Sequence, residues 1–224
     1  MRHRKPQSSW DITNAQSRSL ACSVMDLMVE FFRSHMMKRF PLELYTLALG
    51  VVHRLLSYQK RSRVRLNYPW KELWTSLINL VKFITSNESN LVKKINIFSV
   101  TMQVVVIFNL FITYGDTFLP SPSSYDELYY ELVRCRGTFD ALYSMALRYS
   151  TGGGEHKDSA VRVTNSLVNV RAITAHFSPK IDAWLSQQQL STPSEEQILE
   201  VVKANYDSLT LKLQVNLFFS NYSL

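Results

Sequence analysis

The stretch Ile95-Asn-Ile-Phe-Ser-Val-Thr-Met-Gln-Val-Val-Val-Ile-Phe-Asn-Leu-Phe-Ile-Thr-Tyr-Gly115 carries no charge over 21 residues. Lys93 and Lys94 precede it and Asp116 follows. About 20 apolar residues in helix cross a bilayer, so length alone permits a membrane span. The positive-inside rule would then put the N-terminal side in the cytosol. The same run suits the central helix of a stack, buried on most sides. Asn96, Gln103 and Asn109 favour the buried helix, because each amide in lipid needs a partner at appreciable cost. The neighbouring segments are amphipathic too, and their stripes need something to pack on. A core helix over 95–115 is the expectation, and a transmembrane anchor is the alternative.

Helical spacing extends in both directions from this run. Upstream, Pro69 opens a helix with Trp70, Leu73, Leu77, Leu80, Val81 and Ile84 inward. A helix from about Ser19 to Lys38 repeats Leu20, Val24, Leu27, Met28 and Phe31. Pro41 fits the first position of the next helix, which reaches about Tyr58 with Leu44, Leu47, Ala48, Val51 and Leu55 as its stripe. The basic run 60–65 is the loop that follows. Asn87 or Ser89 caps the helix that contains the uncharged run, and Gly115 suits its C-terminal end. Downstream, Ser124 and Glu127 have the spacing of a capping box. That helix reaches about Tyr149 and buries Leu128, Leu132, Phe139, Leu142 and Met145, with Gly137 marking a kink or close packing. Thr151-Gly-Gly-Gly154 is a flexible break. A sixth helix, about 158–176, aligns Val163, Leu167, Val170 and Ile173, and Ser178-Pro179 ends it. A second capping box at Thr192 to Glu195 starts the seventh, which uses Ile198, Val201, Val202, Tyr206 and Leu209.

About seven helices and no credible strand predict an all-α fold. Helix order suggests an armadillo- or HEAT-like solenoid, with an irregular bundle as the alternative. The six glycines and seven prolines are few enough for long helices. The expected layout is a basic extended segment over 1–17, a helical domain over 18–214 and an atypical tail over 215–224.

The charge is uneven. Residues 1–66 hold 12 Lys and Arg against 4 Asp and Glu, whereas residues 67–224 hold 13 against 14. The excess clusters at Arg2-His3-Arg4-Lys5, at Lys38-Arg39 and at Lys60, Arg61, Arg63 and Arg65. The last group is the candidate contact for an acidic partner or an anionic membrane, with a plain solvated face as the alternative. No nucleic-acid-binding motif accompanies the charge, so no nucleic-acid partner is expected.

Catalytic signatures are missing. No phosphate-binding loop, dinucleotide fingerprint, zinc-protease helix or nucleophile elbow occurs. The five histidines are scattered, with no second ligand at helical spacing, so no metal or cofactor is expected. Asp126-Glu127 and Glu195-Glu196 fall in first turns, where the helix dipole accounts for them. Cys22 and Cys135 read as reduced thiols of a cytosolic or nuclear environment, and the residues up to Asn14 form no secretory signal. The acceptor patterns at Asn87 and Asn221 read as accidental in that setting. Tyr125, Tyr129 and Tyr130 form an aromatic cluster. Core packing explains most of it, with an exposed interaction patch as the alternative. No enzymatic role is expected.

Several strings are long and uncommon. They include Arg-His-Arg-Lys-Pro (2–6), Trp-Asp-Ile-Thr-Asn (10–14), His-Met-Met-Lys-Arg-Phe-Pro (35–41), Phe-Ile-Thr-Tyr-Gly-Asp-Thr-Phe-Leu-Pro (111–120) and Ser-Ser-Tyr-Asp-Glu-Leu-Tyr-Tyr-Glu (123–131). Together with Arg-Ser-Leu-Ala-Cys (18–22), Glu195-Glu-Gln and Ala204-Asn-Tyr, they resemble the family of armadillo-like helical domain-containing protein 3. The resemblance covers nearly the whole chain and only the C-terminal part of that longer protein. It implies a helical scaffold, cytosolic and associated with Golgi membranes, that partners phosphatidylinositol 4-kinase beta. It also implies support for recruitment of the large Golgi Arf exchange factor, for Golgi maintenance and for secretion. The family offers no catalytic residues to carry over. Residues 215–224 depart from its charged helical continuation.

Overall fold

A computed structural model describes residues 19–36, 40–93, 95–189, 192–207 and 209–212. The segment 1–17, the Lys38-Arg39 pair and the tail 215–224 lie outside the described residues. Among the described residues there are ten α-helices, one 3-10 turn and no strand. The fold is all-α, as the apolar spacing predicts, but built from more and shorter pieces than seven.

The first helix, α1 (Leu20–Ser34), is capped by Ser19, whose Oγ accepts from the Cys22 N–H. The second, α2 (Leu42–Ser62), returns antiparallel to it, since Cys22 Sγ lies 3.8 Å from the Asn67 carbonyl beyond the end of α2. Two expectations fail here. The run 60–65 is not all loop, because Lys60 and Arg61 form the last turn of α2. The inward stripes also differ in part: of the residues expected inward, Ala48 is buried and Met28, Phe31 and Leu55 pack on the core. Helix α1 buries Cys22, Met25, Val29 and Phe32, and α2 buries Tyr45, Ala48, Leu49, Val52 and Leu56. Leu20, Leu27, Leu44 and Leu47 are 80%, 64%, 51% and 61% exposed. Both helices carry two apolar stripes, each at helical period, so spacing alone does not choose between them.

Helix α3 (Trp70–Ser86) buries all six residues expected of it. The helix expected over 87–114 is two pieces, α4 (Glu88–Leu91) and α5 (Ile97–Tyr114). Asn96 caps α5 by accepting from the Phe98 N–H at 3.2 Å. The uncharged stretch is therefore the central helix of the stack. It is long and apolar enough to cross a membrane, yet 78% of its apolar window lies inside the protein. It packs against α2 and α3 and against two later helices. Trp74 and Phe111 meet edge-on at 5.5 Å, and Phe108 and Phe139 do so at 5.5 Å. The fully buried Asn109 donates to the Ser166 carbonyl at 2.8 Å, so its amide nitrogen finds a partner in protein. A 3-10 turn (Gly115–Thr117) ends the helix. A Cβ on Gly115 would come within 2.7 Å of the Leu119 side chain and 3.0 Å of Tyr125 Oη, so any larger residue would have to push those side chains aside.

The two helices expected next are also split. Cys135 separates α6 (Ser123–Arg134) from α7 (Arg136–Thr151), and Leu167 separates α8 (Lys157–Ser166) from α9 (Val168–Gln188). The inward residues run through both breaks without a gap: Leu128, Leu132, Phe139, Leu142 and Met145 are buried, as are Val163, Leu167, Val170 and Ile173. A one-residue turn changes the axis but not the buried face, so periodicity reads straight across it. Gly137 lies two residues past the break, in the first turn of α7, and nothing comes within 4 Å of its missing side chain, so it marks the kink and not a close contact. Pro179 does not end α9. An interior proline costs roughly 3 kcal/mol. The carbonyl it frees belongs to Ala175, an exposed residue, while Ile181 beyond it is buried and Trp184 and Leu185 pack on the core.

The cap readings move as well. Helix α6 has Pro122 at its cap position and no side-chain cap, so Ser124 and Glu127 form no capping box. The last helix, α10 (Glu195–Lys203), does have one, built from Ser194 and Gln197 rather than Thr192 and Glu195. Helix α6 packs on α9 and α10, and α3 touches α5, α6 and α7, joining the first hairpin to the last.

Candidate functional site

The four basic residues at the end of α2 have different surroundings. The Lys60 ammonium sits 3.3 Å from the Tyr114 ring centroid, a cation–π contact that ties α2 to the end of α5. The Arg65 guanidinium donates to the Leu119 carbonyl, and the Leu66 N–H bonds the Phe118 carbonyl at 3.2 Å. Those bonds hold the connector 64–69 against the loop after α5. Arg61 and Arg63 are exposed. Arg63 also closes α2 in a left-handed conformation (φ 52°), a position that favours glycine. The structure thus divides the predicted basic group in two: Lys60 braces α2 on α5 and Arg65 ties the connector to the loop after α5, whereas Arg61 and Arg63 face solvent.

The tyrosine cluster is a seam between helices. Tyr129 is buried, with ring centroids 5.9 Å from Tyr125, 5.8 Å from Phe177 and 5.6 Å from Tyr206. Tyr125 Oη accepts the Asp116 N–H at 2.8 Å. Burial pushes the Tyr125 phenol up to about 12 and moves Tyr129 and Tyr130 upward as well. Tyr130 is half-buried, its ring centroid 5.8 Å from the Lys71 ammonium. These tyrosines mainly join α6 to α9 and to the chain after α10.

Beside the seam lies a polar cluster that motif reading missed. Lys71 of α3 bonds both oxygens of Glu195 on α10, at 2.5 and 2.6 Å. Its ammonium is also 3.9 Å from Oε1 of Glu131, a fully buried carboxylate whose other oxygen accepts from Arg134. Tyr206 Oη donates to Asp126 Oδ1 at 2.6 Å. Burial first, then this bond, raises the Tyr206 phenol. Burial also raises the Glu127 carboxyl. The only sequence signal was Glu131 standing one turn from Leu128 in an apolar stripe. Each of these charges spans two helices or closes a turn, which is structural work. Among the described residues no three His, Cys, Asp or Glu side chains gather to hold a metal ion.

Large exposed hydrophobic residues concentrate at one end. Leu20, Leu27, Leu44, Leu47, Tyr58 and Val64 all belong to the first hairpin and its connector, and only Leu147 and Val161 lie elsewhere among the described residues. At the opposite end, α9 and α10 frame an open groove of about 520 Å³ lined by Lys180, Trp184, Gln187, Glu200 and Asn205.

Stacked helices around a buried central helix, with polar groups spent on seams and apolar groups left at one end, define an armadillo-like helical protein. The chain belongs to the family described as Armadillo-like helical domain-containing protein 3, C-terminal, whose model matches residues 18–222. Proteins of that name are similar to it along almost all of its length. The one from Homo sapiens is 58% identical over 214 residues, covering 96% of this chain and 31% of its own. The one from Danio rerio is 56% identical over 224 residues, covering 100% of this chain and 32% of its own. The chain therefore spans about a third of the length of these relatives. No solved structure matches it.

Proposed function

We propose that this chain is a non-enzymatic helical adaptor that docks a protein partner at Golgi membranes. The observation that carries this reading is the basic end of α2, where Arg61 and Arg63 project into solvent from a rigid helix end. No acidic residue occurs between Glu43 and Glu72, so this end attracts an acidic surface. The partner proposed, by family resemblance, is phosphatidylinositol 4-kinase beta, with support for recruitment of the Golgi Arf exchange factor, Golgi maintenance and secretion as the proposed wider role. The cytosolic face of the Golgi is the corresponding location. Purified chain mixed with the lipid kinase co-elutes in gel filtration on this reading, and Arg61→Glu with Arg63→Glu weakens the complex. Independent elution of the two proteins overturns direct binding by this region.

A second reading rests on the same two arginines. An anionic lipid surface also attracts them, at about 1 kcal/mol for each basic residue near it. Sedimentation with phosphatidylserine vesicles distinguishes it, because lipid binding weakens as salt rises. The transmembrane alternative over 95–115 makes a different prediction: a span stays with the membrane in alkaline carbonate, whereas a core helix is released with its protein.

A further inference from the structure

Helix α2 is apolar on two sides. Tyr45, Leu49, Val52 and Leu56 point into the core at spacings of four and three. Leu44, Leu47, Val51, Leu55 and Tyr58 form a second apolar row, in which Leu55 also packs on the core. Of these, Leu44, Leu47 and Tyr58 are exposed, and Val51 and Leu55 are half-buried. Helix α1 shows the same doubling, with Leu20 and Leu27 exposed opposite Cys22, Met25 and Val29. A helix bearing stripes on both sides is an interior helix, made to be covered from two directions.

The other end of the stack differs. Helix α10 buries Ile198, Val201 and Val202 and turns Glu196, Gln197, Glu200 and Lys203 outward. Terminal repeats of a solenoid need such a polar outer face, because an apolar one has no neighbour to bury it. By that criterion α10 closes the stack and the α1–α2 hairpin does not.

We infer that the outer face of the α1–α2 hairpin is a stacking interface for a preceding helical layer of the longer family chain, which lays its own apolar stripe along Leu27 and Leu47. Two facts identify the occupant. The matched region is the C-terminal one and fills only about a third of the relatives' length, so most of their chain lies on its N-terminal side. Helix α1 opens the matched region, which puts the open face beside the point where that chain arrives in the relatives. The hairpin is then a joint between two parts of one solenoid. The partner contact at Arg61 and Arg63 stands apart from it.

Cysteine accessibility tests this without disturbing the core. Leu27→Cys, Leu47→Cys and, as a reference on α8, Val161→Cys are made in this chain and at the aligned positions of the full-length human relative. Alkylation at each site is followed by peptide mass spectrometry. Covered thiols react slowly because reagent has no access. The Leu27 and Leu47 sites are expected to react at least about tenfold more slowly in the longer protein than in this chain, with the Val161 site equal in both. Equal rates at all three sites overturn the inference. Slow reaction already in this chain overturns it too. In that case residues 1–18 cover the face if the slowing is independent of protein concentration, and a second copy covers it if the slowing grows with concentration. Protection of this chain by phosphatidylserine vesicles, with the longer protein fully reactive, assigns the face to a membrane instead.

Discussion

Arg63 combines a structural cost with an exposed charge. It is held left-handed at the end of α2, where a non-glycine residue costs roughly 1 kcal/mol. Arg63→Gly should therefore raise stability by about that amount in thermal unfolding, while weakening binding to an acidic partner. A drop in melting temperature would show that the arginine side chain holds the turn. Tyr206 and Asp126 form the opposite kind of pair, inward and structural. Tyr206→Phe leaves a largely buried carboxylate short of a donor, and about 1–3 kcal/mol of stability should go with it in chemical denaturation. Glu127 gives a pH test. Burial raises its carboxyl, so the folded state holds the proton more tightly than the unfolded state and ionisation opposes folding. Glu127→Gln should raise the melting temperature at pH 7, and the gain should vanish in acid, where both side chains are neutral. None of these roles has a motif. They follow from which helix faces which, and only Ser194, read as part of a capping box, was close to its role in the sequence.

Helices differ in how much of their fate their own residues settle. Helix α3 has one dominant apolar face, and all six residues assigned inward are inward. Helix α5 is apolar nearly all round, so burial was legible from composition, and its packing partners come from the fold. Phe108 is fully buried against Phe139. Phe108→Ala should cost roughly 3–5 kcal/mol, readable as loss of cooperative unfolding by circular dichroism, whereas a lipid-facing phenylalanine in a span would cost far less. The buried faces of α1 and α2 are only partly legible, because each helix has two apolar rows of similar strength. The choice between them lies in α3 and α5, which take up one side of the hairpin. The split at Leu167 is invisible for a related reason, since its buried face is continuous and no glycine or proline stands at the turn, whereas the split at Cys135 falls two residues from Gly137.

At the scale of the molecule, exposed basic and exposed apolar side chains meet on the first hairpin. The basic end of α2 faces solvent at Arg61 and Arg63, while the outer side of the same hairpin carries leucines. One hairpin can then join a longer helical chain along its side and meet an acidic partner at its tip. Binding through the tip depends on salt, because the charges are exposed and screened; stacking along the side does not, because it buries apolar area. Raising salt from low to physiological strength should weaken kinase co-elution without loosening the covered leucines of a full-length relative.

Residue order alone carries the all-helical class, the inward faces of α3 and of α5 onward, and the family resemblance, because period and local composition are one-dimensional properties. The choice of stripe buried by α1 and α2, the retention of Lys60 and Arg65 as braces while Arg61 and Arg63 face solvent, and the use of Tyr125 and Tyr129 in a seam arise only when distant parts of the chain meet. Each of those outcomes is a competition between nearly equal local options, and contacts from residues far away in the chain break the tie.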